Sequence, residues 1–436
     1  MIALELRRSQ AGWTAGLIVV LGAIGYYAGA NLGGGWAGLA QQQRAMLGVF
    51  WALACGLGAS QARRERRRRL EELLASTALP WHWRVLPTAV AMGLAGITGY
   101  VGLFAAGAVH LVGYPRYFPA GVVPTVLIGS LAVVAALWVG LAIGSRLGSP
   151  LTPPLVTVAG VAGIFVFPAY VLGIRHGVEP AGALLLSPAL IETNGMRTEF
   201  VTLTTQAQLV QLVWLGAVAA GGLILFAVKG LRGILAAAAP ILAGLAVALT
   251  LVPQNMSAAY AVDNGAVEPV CTPDPPVVCV TRVHEGDLAR VREPARRALA
   301  VLTSRLGGDA PVMALEDHDN PLREDLTPQP ANAVLFAVFD TPADQLIWQV
   351  LSGAGTRPCL GMRGKDYTTA RLVAAAWLLE INPPSDVDKF ADTGRARQVL
   401  AHLRGLPPDE QRTRILALRR AELACTPGNR LEALAA

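Results

Sequence analysis

Long apolar stretches separated by short polar segments occupy residues 1–252 of the chain. A helix that crosses the hydrocarbon core of a membrane, about 30 Å thick, needs about 20 mostly apolar residues. Polar and basic residues collect in the segments between these stretches, as expected at membrane surfaces. The pattern predicts seven transmembrane helices, at residues 13–30, 44–60, 86–112, 121–145, 152–174, 208–229 and 232–252.

Beyond residue 252 the apolar runs are short and alternate with charged positions, which is typical of a water-soluble domain. Apolar, β-branched runs predict strands at 277–283 and 332–339, and periodic segments predict helices at 285–306, 367–381, 394–404 and 408–424. Asp366 is the predicted N-cap of the second helix, and 307–331 is predicted to be a loop. The predicted fold is a multi-span α-helical membrane domain, residues 1–252, followed by a small α+β domain, residues 253–436.

Charge is distributed unevenly between these two parts. Residues 1–252 contain 16 Lys and Arg against 7 Asp and Glu, a net charge of +9, whereas residues 253–436 contain 20 against 23, a net charge of −3. The overall charge of +6 therefore comes from the membrane loops. No basic patch interleaved with aromatic residues is visible, so nucleic-acid binding is not predicted.

Basic residues mark alternate loops of the membrane domain, and the loops between them carry fewer. Loops rich in Lys and Arg normally face the cytoplasm. The N-terminus is therefore predicted to be cytoplasmic and, after seven spans, residues 253–436 extracytoplasmic, in a multi-pass protein of a bacterial plasma membrane. The residues that decide this are Arg7, Arg8, Arg63–Arg69, Arg84, Arg146, Lys229 and Arg232 on one side, against Arg116, Arg175 and Arg197 on the other.

Four of the five cysteines, Cys271, Cys279, Cys359 and Cys425, lie in the C-terminal domain. An even number on the oxidising side of a membrane predicts two disulfides. Cys271 and Cys279 flank a Pro-rich turn and could close a hairpin, which leaves Cys359 and Cys425, although three pairings are formally possible. A zinc site is the alternative, but no C-x-x-C or paired histidine accompanies these cysteines.

The second loop, residues 61–85, has the most specific pattern in the membrane domain. After the basic run Arg63–Arg69, residues 70–79 continue as a helix that Pro80 ends, and Trp81 and Trp83 follow where aromatic rings favour the interface. The pattern predicts a short helix at residues 66–83, lying at the bilayer surface with its polar face toward the cytosol. Alternatively, the arginines only set topology and bind anionic lipid.

This loop resembles that of the permease subunit of type-2 ATP-binding-cassette (ABC) exporters, in the actinobacterial form with an extracytoplasmic C-terminal domain. The family has a pattern close to ELL-x-x-T-P-x-x-R in a coupling helix. Here Glu72–Leu73–Leu74 and Thr77 match, while the proline is displaced to Pro80. The resemblance implies that this helix docks in a groove of a separate ATPase subunit. The implied coupling residues are Arg66, Arg67, Arg68, Arg69, Glu71, Glu72, Leu73, Leu74, Thr77 and Pro80.

Missing motifs narrow the function further. No G-x-x-x-x-G-K-[ST] occurs, so ATP and Mg are expected to be used by the partner ATPase, and this chain is predicted to be neither an enzyme nor a cofactor protein. No H-E-x-x-H occurs, and the segment 316–320 is interpreted as a surface acidic turn rather than a metal site. No Asp, Glu or Lys lies within a predicted span except Lys229, the last residue of 208–229, and Arg44 is placed at a margin, which argues against an ion-coupled transporter.

The sequence thus predicts the membrane subunit of an ATP-driven exporter that moves an amphiphilic or apolar substrate, such as a drug, natural product, peptide or lipid. The resemblance implies a second permease copy, identical or similar, two ATPase copies and contact with membrane lipid. The alternative is a receptor or scaffold whose spans only display the C-terminal domain. An ATPase that co-purifies with the chain would favour the exporter.

Overall fold

A computed structural model describes residues 11–29, 35–67, 81–109, 111, 117–174, 185–189, 198–253, 257–318, 329–338, 342–359, 362, 364–384 and 390–436. The chain forms two compact units. Unit 1 comprises residues 1–113 and 118–263, and unit 2 comprises residues 114–117 and 264–436.

Unit 1 is built from long helices, one for each predicted span. These are α1 (Ala11–Gly29), α2 (Gly35–Arg67), α3 (Trp81–Ala108), α4 (Val122–Arg146), α5 (Thr152–Ile174), α6 (Thr205–Ala227) and α7 (Gly230–Leu251). Among the described residues, α2, α3, α4, α6 and α7 are long and apolar enough to cross a membrane. The apolar described parts of α1 and α5 are shorter, Ala11–Gly25 and Thr152–Ile164. Unit 1 therefore has the character of a membrane domain, and the full number of seven spans stays a prediction.

Helices α2 and α4 pack against each other more extensively than any other pair in unit 1. Helix α5 packs on α2, α6 on α4 and α7, and α1 on α3. A short antiparallel pair, β1 (Val201–Leu203) and β2 (Tyr260–Val262), joins the start of α6 to the chain that follows α7. The core contains fully buried residues from α1, α2, α3 and α4, among them Leu47, Leu103 and Leu137.

One sequence expectation in unit 1 is wrong. The predicted second span begins at Arg44, which puts this residue at the margin of the span. In the structure α2 begins at Gly35, so Arg44 lies more than two turns inside the helix and has no solvent exposure. The length of the apolar run underestimates the length of α2, because three glutamines precede Arg44 and interrupt the apolar pattern. The side chains of Gln41 and Gln43 are buried against protein groups. Gln41 and Gln43 donate to the carbonyl oxygens of Val201 and Tyr100, at 3.1 and 2.6 Å.

The contact between α2 and α4 depends on glycines that let the two backbones touch. A Cβ atom at Gly140 would lie 2.0 Å from the carbonyl oxygen of Cys55, and one at Gly144 would lie 2.4 Å from that of Ala59. Gly58 on α2 approaches α4 in the same way. Small residues four apart are a common solution for close helix packing in membranes, where apolar burial gives little drive for association.

Gly140→Ala is therefore expected to destabilise unit 1 by about 1–3 kcal/mol, since the methyl group would force two packed backbones apart. Gly163→Ala on α5 is the matched control, because a Cβ atom there would meet nothing within 4 Å. Thermal unfolding of the detergent-solubilised chain should show a lower midpoint for the first variant only. Equal midpoints would refute the close contact.

Unit 2 contains a four-stranded sheet in the order β3 (Pro269–Cys271), β4 (Val277–Thr281), β5 (Met313–Glu316) and β6 (Ala333–Phe336). Strand β3 is antiparallel to β4, whereas β4, β5 and β6 are parallel. The helices are α8 (Leu288–Leu306), α9 (Ala343–Leu351), α10 (Lys365–Leu379), α11 (Thr393–Arg404), α12 (Pro408–Leu423) and α13 (Arg430–Ala435). Helix α8 makes the crossover between the parallel strands β4 and β5, as a parallel connection requires.

Helix α10 is the central helix of unit 2. Its residues from Thr369 to Leu378 are all buried, on every side of the helix, whereas α8 buries one stripe that includes Val291, Leu299 and Leu306. A helix buried all round must be covered by neighbours on each face. Here α9, α11 and α13 pack against α10, so the polar residues Thr369 and Arg371 also lie in the protein interior.

The predicted strands at 277–283 and 332–339 and all four predicted helices of unit 2 are confirmed, with shifts of a few residues at their ends. The predicted loop 307–331 is wrong in part, because it contains β5. Asp366 is not the N-cap of α10; that position is Gly364, and Asp366 lies in the first turn. Strand β3 and helices α9 and α13 were not predicted, since each is too short for a reliable periodicity.

Candidate functional site

The basic run of the second loop begins as part of a membrane helix. Helix α2 continues without a break to Arg67, so Arg63, Arg64 and Arg66 lie on its last two turns. The Arg66 guanidinium makes a long hydrogen bond, 3.4 Å, to the carbonyl oxygen of Arg146 at the end of α4. Arg66 and Arg67, the first residues of the predicted 66–83 helix, therefore extend the helix of the second span, and the rest of that helix stays a prediction.

Arg146 in turn closes the end of α6. Its guanidinium donates to the carbonyl oxygen of Leu225 and, at 2.9 Å, to that of Val228. The last carbonyls of a helix lack partners within the helix and carry partial negative charge, so a cation there is favourable. The ends of α2, α4 and α6 thus meet at one basic end of unit 1, and this agrees with the prediction that their loops share one side of the membrane.

The remaining residues of the predicted coupling helix, Arg68, Arg69, Glu71, Glu72, Leu73, Leu74, Thr77 and Pro80, lie outside the described residues. The structure resumes at Trp81, which begins α3. Trp81 and Trp83 therefore belong to the helix of the third span. Both borders of the predicted 66–83 segment are continuous with membrane helices.

Both predicted disulfides are present in unit 2. Cys271 and Cys279 face each other across the β3–β4 hairpin, with a Cα–Cα distance of 4.0 Å. Cys359 is bonded to Cys425, 66 residues further along the chain. Cys55 is a free, buried cysteine of α2, as expected for a packed apolar residue.

A buried ion cluster lies beside the second disulfide. The Glu422 carboxylate, which has no exposed surface, accepts from Arg371 at 2.5 Å and from Arg430 at 3.1 Å. The Tyr367 hydroxyl donates to Glu422 at 2.8 Å and accepts from the Cys359 N–H at the same distance. Burial raises the pKa of Tyr367 above its ordinary value, so this hydroxyl stays protonated and keeps its role as a donor.

The acidic segment 316–320 is only partly at the surface, which corrects the expectation of a surface turn. Glu316 ends β5 and is buried; its carboxylate lies 2.6 Å from His284 Nδ1 and accepts from both the N–H and the hydroxyl of Thr281, each at 2.7 Å. His318 is exposed. Since every oxygen of Glu316 has a protein partner, this group serves to join β4 to β5.

A pocket of about 1060 Å³ opens in unit 2 beside the edge strand β6. Its wall is mixed, with amides, hydroxyls and four charged side chains beside aromatic and aliphatic ones, as is usual for small-molecule or peptide sites. The Gln349 amide, oriented so that both of its atoms are satisfied, pairs with the N–H and the carbonyl oxygen of Ala337, each at 3.2 Å. The lining residues include Asp317, Leu335, Gln345, Trp348, Gln349, Arg357, Met362, Tyr367, Thr368 and Phe390.

Helix α9 places Gln345 and Gln349 four residues apart, and both line this pocket. Two histidines at that spacing bind zinc in metalloprotease helices, but carboxamides are not zinc ligands. In the part of the chain that the structure describes, no group of three or more His, Cys, Asp or Glu could hold a metal ion. The pocket therefore has the chemistry of a binding site that combines neutral amides with charged groups, among them Asp317, Arg357 and Lys365.

No family model, curated protein or solved structure matches this chain. The features of this chain that bear on its function are therefore the basic end of unit 1 and the pocket of unit 2.

Proposed function

We propose that this chain is the membrane subunit of an ATP-driven exporter of the ABC type, powered by a separate ATPase that grips the segment following α2. In this proposal the basic end of unit 1 faces the cytoplasm of a bacterial cell and unit 2 lies outside. The substrate is amphiphilic or apolar, and two permease copies work with two ATPase copies.

The observation that carries the proposal is the continuity of α2 from the core of unit 1 to the basic run. A helix of 33 residues is about 50 Å long, well beyond the hydrocarbon thickness of about 30 Å. Its apolar part packs on α4 and α5, while its charged end contacts α4 through Arg66. A force applied just after Arg67 would therefore act on a rigid element that is already packed against the rest of the bundle.

The Arg66 hydrogen bond joins the end of α2 to α4, and the Arg146 hydrogen bonds join α4 to the end of α6. A force on the end of α2 would therefore act on three helices. Each contact involves a guanidinium and a helix-terminal carbonyl, and Arg146 makes two such bonds to α6. Movement of the α2 end would therefore tilt α4 and α6 together. This mechanical coupling supports an externally driven transporter over a passive anchor.

The first test is co-purification of the tagged full-length chain from its native membrane. We expect a nucleotide-binding protein to appear in one-to-one proportion, with ATPase activity that requires both proteins. A preparation that contains no such ATPase under mild detergent conditions would overturn the proposal.

The second test uses the segment that would be gripped. Replacing both Glu71 and Glu72 with alanine should lower transport at least tenfold, since the charged face of the coupling helix would be lost, while membrane insertion is unchanged. Transport and ATP hydrolysis are measured in proteoliposomes containing both subunits. The matched control is Glu432→Ala on α13 of unit 2, at an exposed position; equal transport by both variants would contradict the coupling role.

The pocket of unit 2 favours a second candidate, a membrane receptor that binds its ligand there. A cavity of this size can hold a drug-sized molecule or a few residues of a peptide. A chain that purifies without an ATPase but binds a ligand lost on Trp348→Ala would favour this function over the exporter.

A further inference from the structure

A layer of polar side chains crosses the interior of unit 1, on three different helices. Arg44 of α2 has no exposed surface and donates through Nη2 to Gln211 Oε1 of α6, at 2.9 Å. Gln43, its neighbour on α2, donates to the carbonyl oxygen of Tyr100 on α3.

These residues lie at a common depth. Arg44 is nine residues from the start of α2, or about 14 Å, and Gln211 is six residues from the start of α6, or about 9 Å. Tyr100 is eight residues, or about 12 Å, from the end of α3. All three distances are measured from the end of unit 1 opposite the basic end, so the layer lies well inside the bundle.

Most of the hydrogen-bonding capacity in this layer is unused, and most of the unused atoms are donors. Arg44 Nε, Arg44 Nη1 and Gln211 Nε2, which only donate, and Tyr100 Oη, which can donate or accept, have no hydrogen-bond partner in the part of the chain that the structure describes. The amide oxygen Gln43 Oε1 is an unused acceptor. An excess of donors around a guanidinium suits an oxyanion and excludes a cation.

A buried guanidinium without a counter-charge is strongly unfavourable in a medium of low dielectric constant. No carboxylate of the described residues lies within ion-pair distance of Arg44; the only partner found for its side chain is the neutral amide of Gln211. In membrane domains, charged side chains that face the bundle interior mark ligand and substrate paths. Buried apolar residues lie within one turn of the layer, among them Leu47 on α2 and Leu103 on α3, which suits a hydrocarbon chain attached to the anion.

We propose that Arg44, with Gln211 and Tyr100, binds an oxyanion inside unit 1, the carboxylate or phosphate head group of an acidic amphiphile. The planar guanidinium keeps unused N–H donors on Nε and on Nη1, at two edges of the group, and each can donate a charge-assisted hydrogen bond to an oxygen of such a head group. This binding does not depend on the proposed transport; if both hold, the substrate class of the exporter narrows to acidic amphiphiles.

The test uses the full-length chain in a neutral detergent and three probes: oleate, its neutral methyl ester and inorganic phosphate. Oleate is expected to raise the thermal unfolding midpoint of the native chain in a concentration-dependent way, because a ligand that binds only the folded state stabilises it. Methyl oleate is expected to have no such effect. A response to inorganic phosphate equal to that of oleate would identify a free anion as the occupant and would still support the oxyanion site.

The decisive variant is Arg44→Gln, compared with Arg232→Gln at an exposed position of α7. Arg44→Gln is expected to weaken oleate binding at least about tenfold, while Arg232→Gln leaves it unchanged. Without ligand, Arg44→Gln should unfold at the same or a higher temperature, because it removes an uncompensated charge. A purely structural arginine would give the opposite result, a lower midpoint with an unchanged response to oleate.

Arg44→Lys provides a second measurement, since it keeps the charge and loses the planar array of five donors. It is expected to bind oleate about tenfold more weakly than the native chain. The proposal is overturned if neither oleate nor phosphate affects the native chain, or if Arg44→Gln and Arg44→Lys respond to them like the native chain.

Discussion

Glu422→Ala is expected to lower the free energy of unfolding of unit 2 by about 3–5 kcal/mol, the usual cost of removing one partner of a buried ion pair. The variant would leave Arg371 and Arg430, which are 5% and 7% exposed, without their common carboxylate. It would also remove the acceptor of the Tyr367 hydroxyl. The loss is measured by hydrogen–deuterium exchange of peptides from α10 and α12 in the full-length chain.

The matched control lies on the same helix. Glu410 pairs with Arg414 one turn away, but its carboxylate is 45% exposed, and exposed pairs contribute about 0.2–1 kcal/mol. Glu410→Ala should therefore leave exchange in α10 nearly unchanged. If hydrogen–deuterium exchange in α10 were equally fast in the two variants, the Glu422 cluster would not be what stabilises the centre of unit 2.

Loss of the Cys359–Cys425 disulfide is expected to destabilise unit 2 by about 4 kcal/mol, against about 2.5 kcal/mol for Cys271–Cys279, in the chain-entropy account of cross-links. The difference follows from the sequence separations of 66 and 8 residues. Opening the longer loop restores more conformational freedom to the unfolded chain. Paired serine substitutions, with unfolding followed by pulse proteolysis under non-reducing conditions, measure both values.

An equal loss from the two serine pairs would show that loop length does not control the stabilisation. The longer disulfide also shares a hydrogen-bond network with Glu422, through the Cys359 N–H and Tyr367. Combining Glu422→Ala with removal of this disulfide should therefore give a non-additive loss. The same combination with the hairpin disulfide should be close to additive.

Features that depend on local composition were predictable. Apolar length located a helix for each predicted span, because the requirement of a membrane for apolar side chains acts on each segment separately. The hairpin disulfide followed from two cysteines on either side of a turn. The predicted helices of unit 2 were confirmed because their apolar positions recur with the helical period.

Features that depend on distant residues were not predictable in the same way. Gly140 and Gly144 have the spacing of a close-packing pair, which the sequence displays, but their partner on α2 follows only from the fold. Nothing local indicates that Glu422 meets Arg371, 51 residues earlier. The pocket of unit 2 brings together β6, α9 and α10, whose pocket-lining residues show no common motif.

The sequence by itself determined that the first part of the chain belongs in a membrane and that the second carries two disulfides, since hydrophobic length and cysteine spacing are properties of short segments. The tertiary structure decided that Arg44 lies inside the bundle, with Nε and Nη1 unpaired among the described residues, and that the basic run extends a packed helix. Both depend on which side chains neighbouring helices bring to the same place, and that is set by packing across the whole unit.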